Sequence, residues 1–208
     1  MASRKQNGFS LLEMMIVVAI GFTVAAVSVI ALLPMMKQNN VSSAYDTTLM
    51  ALRNYQNLSI VQRKRYIVTF TNPGAPNPST ITIARWDYAV PVSPAPVVVD
   101  TLTLPPDVTF STQAGYPSTA AAVPDGFGAG TVAIDFDQGM GLGSQDYVMF
   151  MPDGSSQDLL GNWNSGVLYM GRAGDLYSSR AITVFGATGR IRGWRLYLQA
   201  GVNTWVQQ

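Results

Sequence analysis

The chain has 208 residues, a formal net charge of +1 and only 12% charged residues, so as a whole it has no strong electrostatic preference for a partner. Histidine and cysteine are both absent. Their absence excludes disulfides, thiol nucleophiles, histidine-based triads and the usual metal ligands, and no metal or cofactor is expected. Abundant Gly, Pro, Ser and Thr suit a β-rich domain with many turns better than a helical one.

Residues 1–8 form a short leader carrying Arg4 and Lys5. From Phe9 the pattern is helical and apolar, and Met14 to Met36 contains no charge. About 20 such residues cross a hydrocarbon core of roughly 30 Å. Thr23 and Ser28 can bond back to the preceding turn, so neither argues against a membrane helix. Gly21 and Pro34 are interior irregularities, and proline removes one intrahelical bond. The basic leader favours a cytoplasmic N-terminus with the bulk of the chain outside. Glu13, the only glutamate of the chain, sits at the start of the apolar run. A carboxylate there needs a partner or a snorkelling route to the headgroups. Two alternatives are a cleaved secretory signal and an ordinary uncut anchor. The first needs a small-residue cleavage site after the run; Val24-Ala25-Ala26 lies too deep and Leu33-Pro34-Met35 is a poor substitute.

After Lys37 the pattern changes. Val41, Ala44, Tyr45, Leu49, Leu52 and Tyr55 form one helical stripe, with Asp46 and Arg53 off it. The spacing predicts that the helix continues into water against a globular domain and ends near Gln62. Arg63-Lys64-Arg65 is expected to cap its last turn through the macrodipole. Strands are predicted at 66–70, 80–86, 132–136, 147–151, 167–170, 181–185 and 190–198 from their β-branched and aromatic alternation, and 97–99, 101–104 and 108–110 together offer one or two more. Residues 72–78 read as a loop by proline content, and about 111–130 as a long exposed one. The expected fold is α+β, one long N-terminal helix packed on an antiparallel sheet head. The expected divisions are a leader at 1–8, a transmembrane and assembly helix at 9–36, its amphipathic continuation at 37–65, and a β-rich head at 66–208.

The leader, Gly8, Phe9-Ser10-Leu11-Leu12-Glu13 and the apolar helix together resemble the class III signal of type IV pilins and type II secretion pseudopilins. The resemblance implies that a prepilin peptidase cuts after Gly8 and methylates Phe9. It also implies that Glu13 pairs with the N-terminal amine of a neighbouring subunit during assembly; two desolvated opposite charges prefer each other to lipid. The implied location is the inner membrane, single pass with the head outside, and then a pilus or pseudopilus built with other subunits. Phe150-Met151-Pro152-Asp153-Gly154, Arg180 to Val184 and Gly189-Arg190-Ile191-Arg192 resemble the GspH/FimT-type minor pilins and pseudopilins. Residues 72–130 match nothing in that pattern. The implied role is structural rather than enzymatic: a minor pilin, or the corresponding minor pseudopilin of a type II secretion system.

The sharpest further constellation is basic. Arg172, Arg180, Arg190, Arg192 and Arg195 stand against one acid, Asp175. In a strand Arg190, Arg192 and Trp194 share a face, and two guanidinium forks beside an indole suit phosphates and stacked bases. In FimT-type minor pilins a Gly-Arg-x-Arg element at this place is implicated in DNA uptake, which marks Arg190, Arg192 and Trp194 as candidate DNA contacts. The alternative is that these arginines flank a hairpin turn and pair with nearby aspartates or neighbouring subunits. Asp135-Phe136-Asp137-Gln138-Gly139 has loose calcium-loop spacing but too few carboxylates, and exposed turn acids explain it better. Trp86, Trp163, Trp194 and Trp205 are expected to pack in or beside the core.

Overall fold

The computed structural model of the chain describes residues 10–74, 76–87, 95–136 and 145–208. It divides into two compact units, residues 1–39 and 40–208. A single helix, α1 (Leu11–Gln62), begins in the first unit and continues through the start of the second. In the first unit the segment Leu11–Ser28 is long and apolar enough to cross a membrane, and none of it is buried.

The second unit is an α+β head with two antiparallel five-stranded sheets. Sheet one, in the order β3-β2-β1-β5-β6, holds β1 (Arg65–Thr71), β2 (Thr80–Trp86), β3 (Val97–Thr103), β5 (Tyr147–Phe150) and β6 (Ser156–Gln157). Sheet two, in the order β10-β9-β8-β7-β4, holds β4 (Ile134–Phe136), β7 (Gly166–Arg172), β8 (Asp175–Phe185), β9 (Arg190–Gln199) and β10 (Val202–Gln207). Alternation decides which sides are inside. In β1, Tyr66, Val68 and Phe70 are buried while Arg65, Ile67 and Thr69 are half-exposed. These meet Val41, Ala44, Tyr45 and Leu52 of α1, with Leu168, Met170, Ile182 and Val184 of sheet two, in one core. Asp46 and Arg53 face water, as the stripe predicts.

The central strands of sheet two, β7 and β8, are buried on both faces, and β7 reads as an apolar run rather than as alternation. The outer side of the sheet carries Val167, Tyr169, Ala181, Leu196 and Trp205 in a second cluster, covered by Tyr116 and Phe127. The segment 111–130 is a long loop with many exposed residues, as expected, but Tyr116 and Phe127 lay it against the sheet as a cover. Val123 and Pro124 are buried, and Pro124–Gly126 forms a short 3-10 helix. Desolvation there pushes the Tyr116 phenol up to about 12.

Other expectations need correction. Of the one or two strands expected between 97 and 110, one forms, β3, and beyond it Thr109 makes a single bridge to Gly171. The basic run after α1 does not cap it by charge, since no cation lies in the last turn. Arg63 instead adopts a left-handed φ of 53°, and the Lys64 N–H donates to the Ser59 carbonyl at 3.2 Å, a Schellman closure. Lys64 then pairs with Asp87 at 2.7 Å, and Arg65 opens β1. Trp163 is 59% exposed, outside either core. β6 and β10 were not anticipated; β10 follows a two-residue turn in which Ala200 (φ 48°) and Gly201 (φ 80°) are both left-handed.

The two C-terminal motifs meet at α1. The Gln56 side-chain amide donates to the carbonyls of Gly154 and Gly189, at 2.9 and 2.8 Å. Gly189 has a φ of 62°, and a Cβ there would collide with the Gly154 carbonyl oxygen and the Gln56 amide. Backbone cannot yield as a flexible side chain can. Gly189→Ala is expected to lower stability by about 1–3 kcal/mol and the melting midpoint by roughly 3–10 °C, read by tryptophan fluorescence on the detergent-solubilised chain. An unchanged midpoint would show that this close approach is not a constraint.

Candidate functional site

The N-terminal candidates come first. Gly8 and Phe9 lie outside the described residues. Ser10 stands just before α1, and its hydroxyl accepts the Glu13 N–H at 3.3 Å while its carbonyl accepts the same N–H at 3.0 Å. Ser10-Leu11-Leu12-Glu13 thus has the order of a capping box, which starts α1 and puts the acid at its positive end. Glu13 is exposed, and so are the apolar side chains around it, Leu11, Leu12, Met14 and Met15.

The arginine strand is β9. Its alternation places Arg190, Arg192 and Trp194 on the outer side of sheet two, with Ile191 and Gly193 buried on the inner side. The three outer residues do not form one open surface. The Arg192 guanidinium pairs with Asp125 of the cover, Nη1 to Oδ1 at 2.6 Å. The other oxygen, Oδ2, accepts the Thr183 hydroxyl at 2.5 Å, and Thr183 Oγ1 accepts the Trp194 indole N–H at 3.1 Å. This chain of four side chains pins the cover to the sheet. Asp125 holds a φ of 51° to reach it, a conformation that Asp tolerates better than most residues. Trp194 lines a cavity of about 420 Å³ with Asp125, Asn203 and Trp205. Arg190 is exposed, its guanidinium 5.5 Å from the centre of the Phe185 ring.

The remaining arginines scatter. Arg172 pairs with Asp175 at 2.7 Å. Arg180 is buried against α1, and Arg195 lies beside it across the strand pair. Sequence reasoning missed Asp125 and Thr183 as partners. Asp125-Gly126 reads as turn chemistry, and 67 residues separate Asp125 from Arg192. No local signal connects them. Asp137 to Gly139 of the possible calcium loop lie outside the described residues, and among the described residues no group of three acids could hold a metal.

With this geometry in place, the comparisons are specific at one end only. Residues 3–29 match the family described as the prokaryotic N-terminal methylation motif. The chain therefore carries the type IV pilin-like signal on an N-terminal apolar helix, and it is a pilin-like substrate of prepilin peptidase. No curated protein and no solved structure matches it.

Proposed function

We propose that the chain is a minor pilin of the GspH/FimT kind, cut between Gly8 and Phe9, that initiates or decorates a type IV pilus. The observation that carries this is the coincidence of the signal at 3–29 with a helix that continues directly into a two-sheet head. The head is a packing unit, and the apolar half of α1 supplies the assembly surface. The apolar segments of many subunits bury one another as they leave lipid, and Glu13 guides the incoming subunit. The head stays outside the inner membrane and then outside the fibre. The mechanism is assembly rather than turnover. A Glu13→Ala chain is expected to remain in the membrane fraction and to fall about tenfold or more in sheared filaments, by quantitative immunoblot against wild type. That loss corresponds to about 1.4 kcal/mol, less than the cost of an unpaired charge in lipid. Incorporation at the wild-type level would remove Glu13 from the mechanism.

A second reading adds DNA binding through β9, and Arg190 favours it because that guanidinium is exposed. Arg192 is held by Asp125, so a phosphate reaches it only by competing with a carboxylate. In titrations with duplex DNA, Arg190→Ala should weaken binding and reduce the salt slope by about one, and Arg192→Ala should do less. Asp125→Asn should strengthen binding. Equal titrations for all four chains would exclude the strand as the contact.

A further inference from the structure

Two arginines on the inner side of sheet two, Arg180 and Arg195, have no carboxylate within 4.0 Å among the described residues. Arg180, only 4% exposed, donates from Nη1 to the carbonyls of Ser178 and Ser179 at 3.0 and 3.2 Å, and its Nη2 lies 3.5 Å from the Ser42 hydroxyl. Its partner residue on β9 is Arg195, whose guanidinium lies 5.1 Å from the centre of the Tyr197 ring. The buried Nε of Arg195 has no hydrogen-bond partner among the described residues. Neither has the hydroxyl of Tyr45, which is 6% exposed and abuts Gly193. Among the described residues, the ion pairs within 4.0 Å all involve other cations. Asp46 of α1 is exposed and outside that range, and its charge acts on Arg180 and Tyr45 only from a distance. Burial first, and then the neighbouring charge of Arg195, lower the pKa of Arg180. Buried cations are normally paired, and two like charges side by side leave a demand for an anion.

We propose that Arg180, Arg195, Ser42 and Tyr45 form a binding site for a phosphate group. With Arg180 Nη1 already engaged, the Arg195 fork, Arg180 Nη2 and two hydroxyls still offer more donors than a carboxylate has oxygens to receive, and a phosphate matches both the charge and the number of acceptors. The site has a definite place in the head. β9 runs back along α1: Gln56 reaches Gly189, Tyr45 meets Gly193, and Ser42 meets Arg180 opposite Arg195. The site therefore lies at the Asn40 end of the head. A phospholipid headgroup and a free phosphate supply the same chemistry there. The site itself stands on the head alone; only the lipid as its source rests on the membrane-anchored reading.

The test uses the full chain in dodecyl maltoside, with the melting midpoint followed by tryptophan fluorescence. Sodium phosphate, short-chain phosphatidylglycerol, sodium acetate and sodium chloride are compared at equal ionic strength. Phosphate and phosphatidylglycerol should raise the midpoint with the logarithm of concentration, by about 5–10 °C at a hundredfold excess over Kd, and acetate and chloride should not. A shift with phosphatidylglycerol alone assigns the site to lipid, and one with phosphate alone to a soluble anion. Arg195→Gln should abolish the shift yet melt no lower than wild type in phosphate-free buffer, because a like charge has been removed; a purely structural arginine would melt lower. Arg195→Lys should retain part of the shift. No shift with either phosphate source, an equal shift with acetate, or a shift that survives in Arg195→Gln would overturn the proposal.

Discussion

The first constraint on this molecule is that water is a poor solvent for the beginning of α1. From Leu11 to Val27 the large apolar side chains stand exposed, Leu11 and Phe22 by more than 70%. Each contributes roughly 1.5–3 kcal/mol when it is taken out of water, so the segment requires lipid or other helices around it. Its polar residues permit that. The Thr23 and Ser28 hydroxyls donate to the carbonyls of Ile20 and Val24, both at 2.8 Å, which satisfies them inside the helix. Glu13 is the exception. Held in the first turn beside the Ser10 cap, its carboxylate has no ion pair among the described residues.

The head is organised to hold the water-facing part of the same helix. Buried Thr48 donates to the Ala44 carbonyl at 2.7 Å, which lets a hydroxyl sit in the core. Ser59 reaches the Met151 carbonyl at 2.9 Å, and Gln56 ties together two turns far apart in sequence. At the edge, the Tyr55 hydroxyl donates to Asp100 at 2.9 Å; burial, and then that carboxylate, push its phenol up to about 12. Motif residues that suggest chemistry thus have mechanical roles. Gly154 and Gly189 allow close approach, and Asp153 closes its turn by accepting the backbone N–H and hydroxyl of Ser155 at 2.9 and 2.6 Å. Those two bonds hold its carboxyl below the usual range.

Where structure follows from neighbours in sequence, the sequence was readable. The stripe from Val41 to Tyr55 and the alternation in β1, β2 and β9 come from local period, and so did the shared face of Arg190, Arg192 and Trp194. The cover at 111–130 was not readable, because small residues and glycines carry no period and its anchors lie on other strands. The pairing of Arg192 with Asp125 belongs to the same class: it exists only once the cover folds back. Arg63 shows a different failure. A basic run after a helix suggests charge capping, yet the chain turns there through a left-handed residue, and Lys64 is drawn to Asp87 of another strand. The N-terminal signal was legible throughout because its grammar is the order of adjacent residues.

Retention of the apolar helix behind a freshly cut end is the claim on which the account turns. Intact-mass measurement of the chain extracted from membranes addresses it directly. The account predicts a polypeptide that begins at Phe9 with one added methyl group and still contains α1. A chain that begins at Met1, or one that begins beyond Met36, would contradict it.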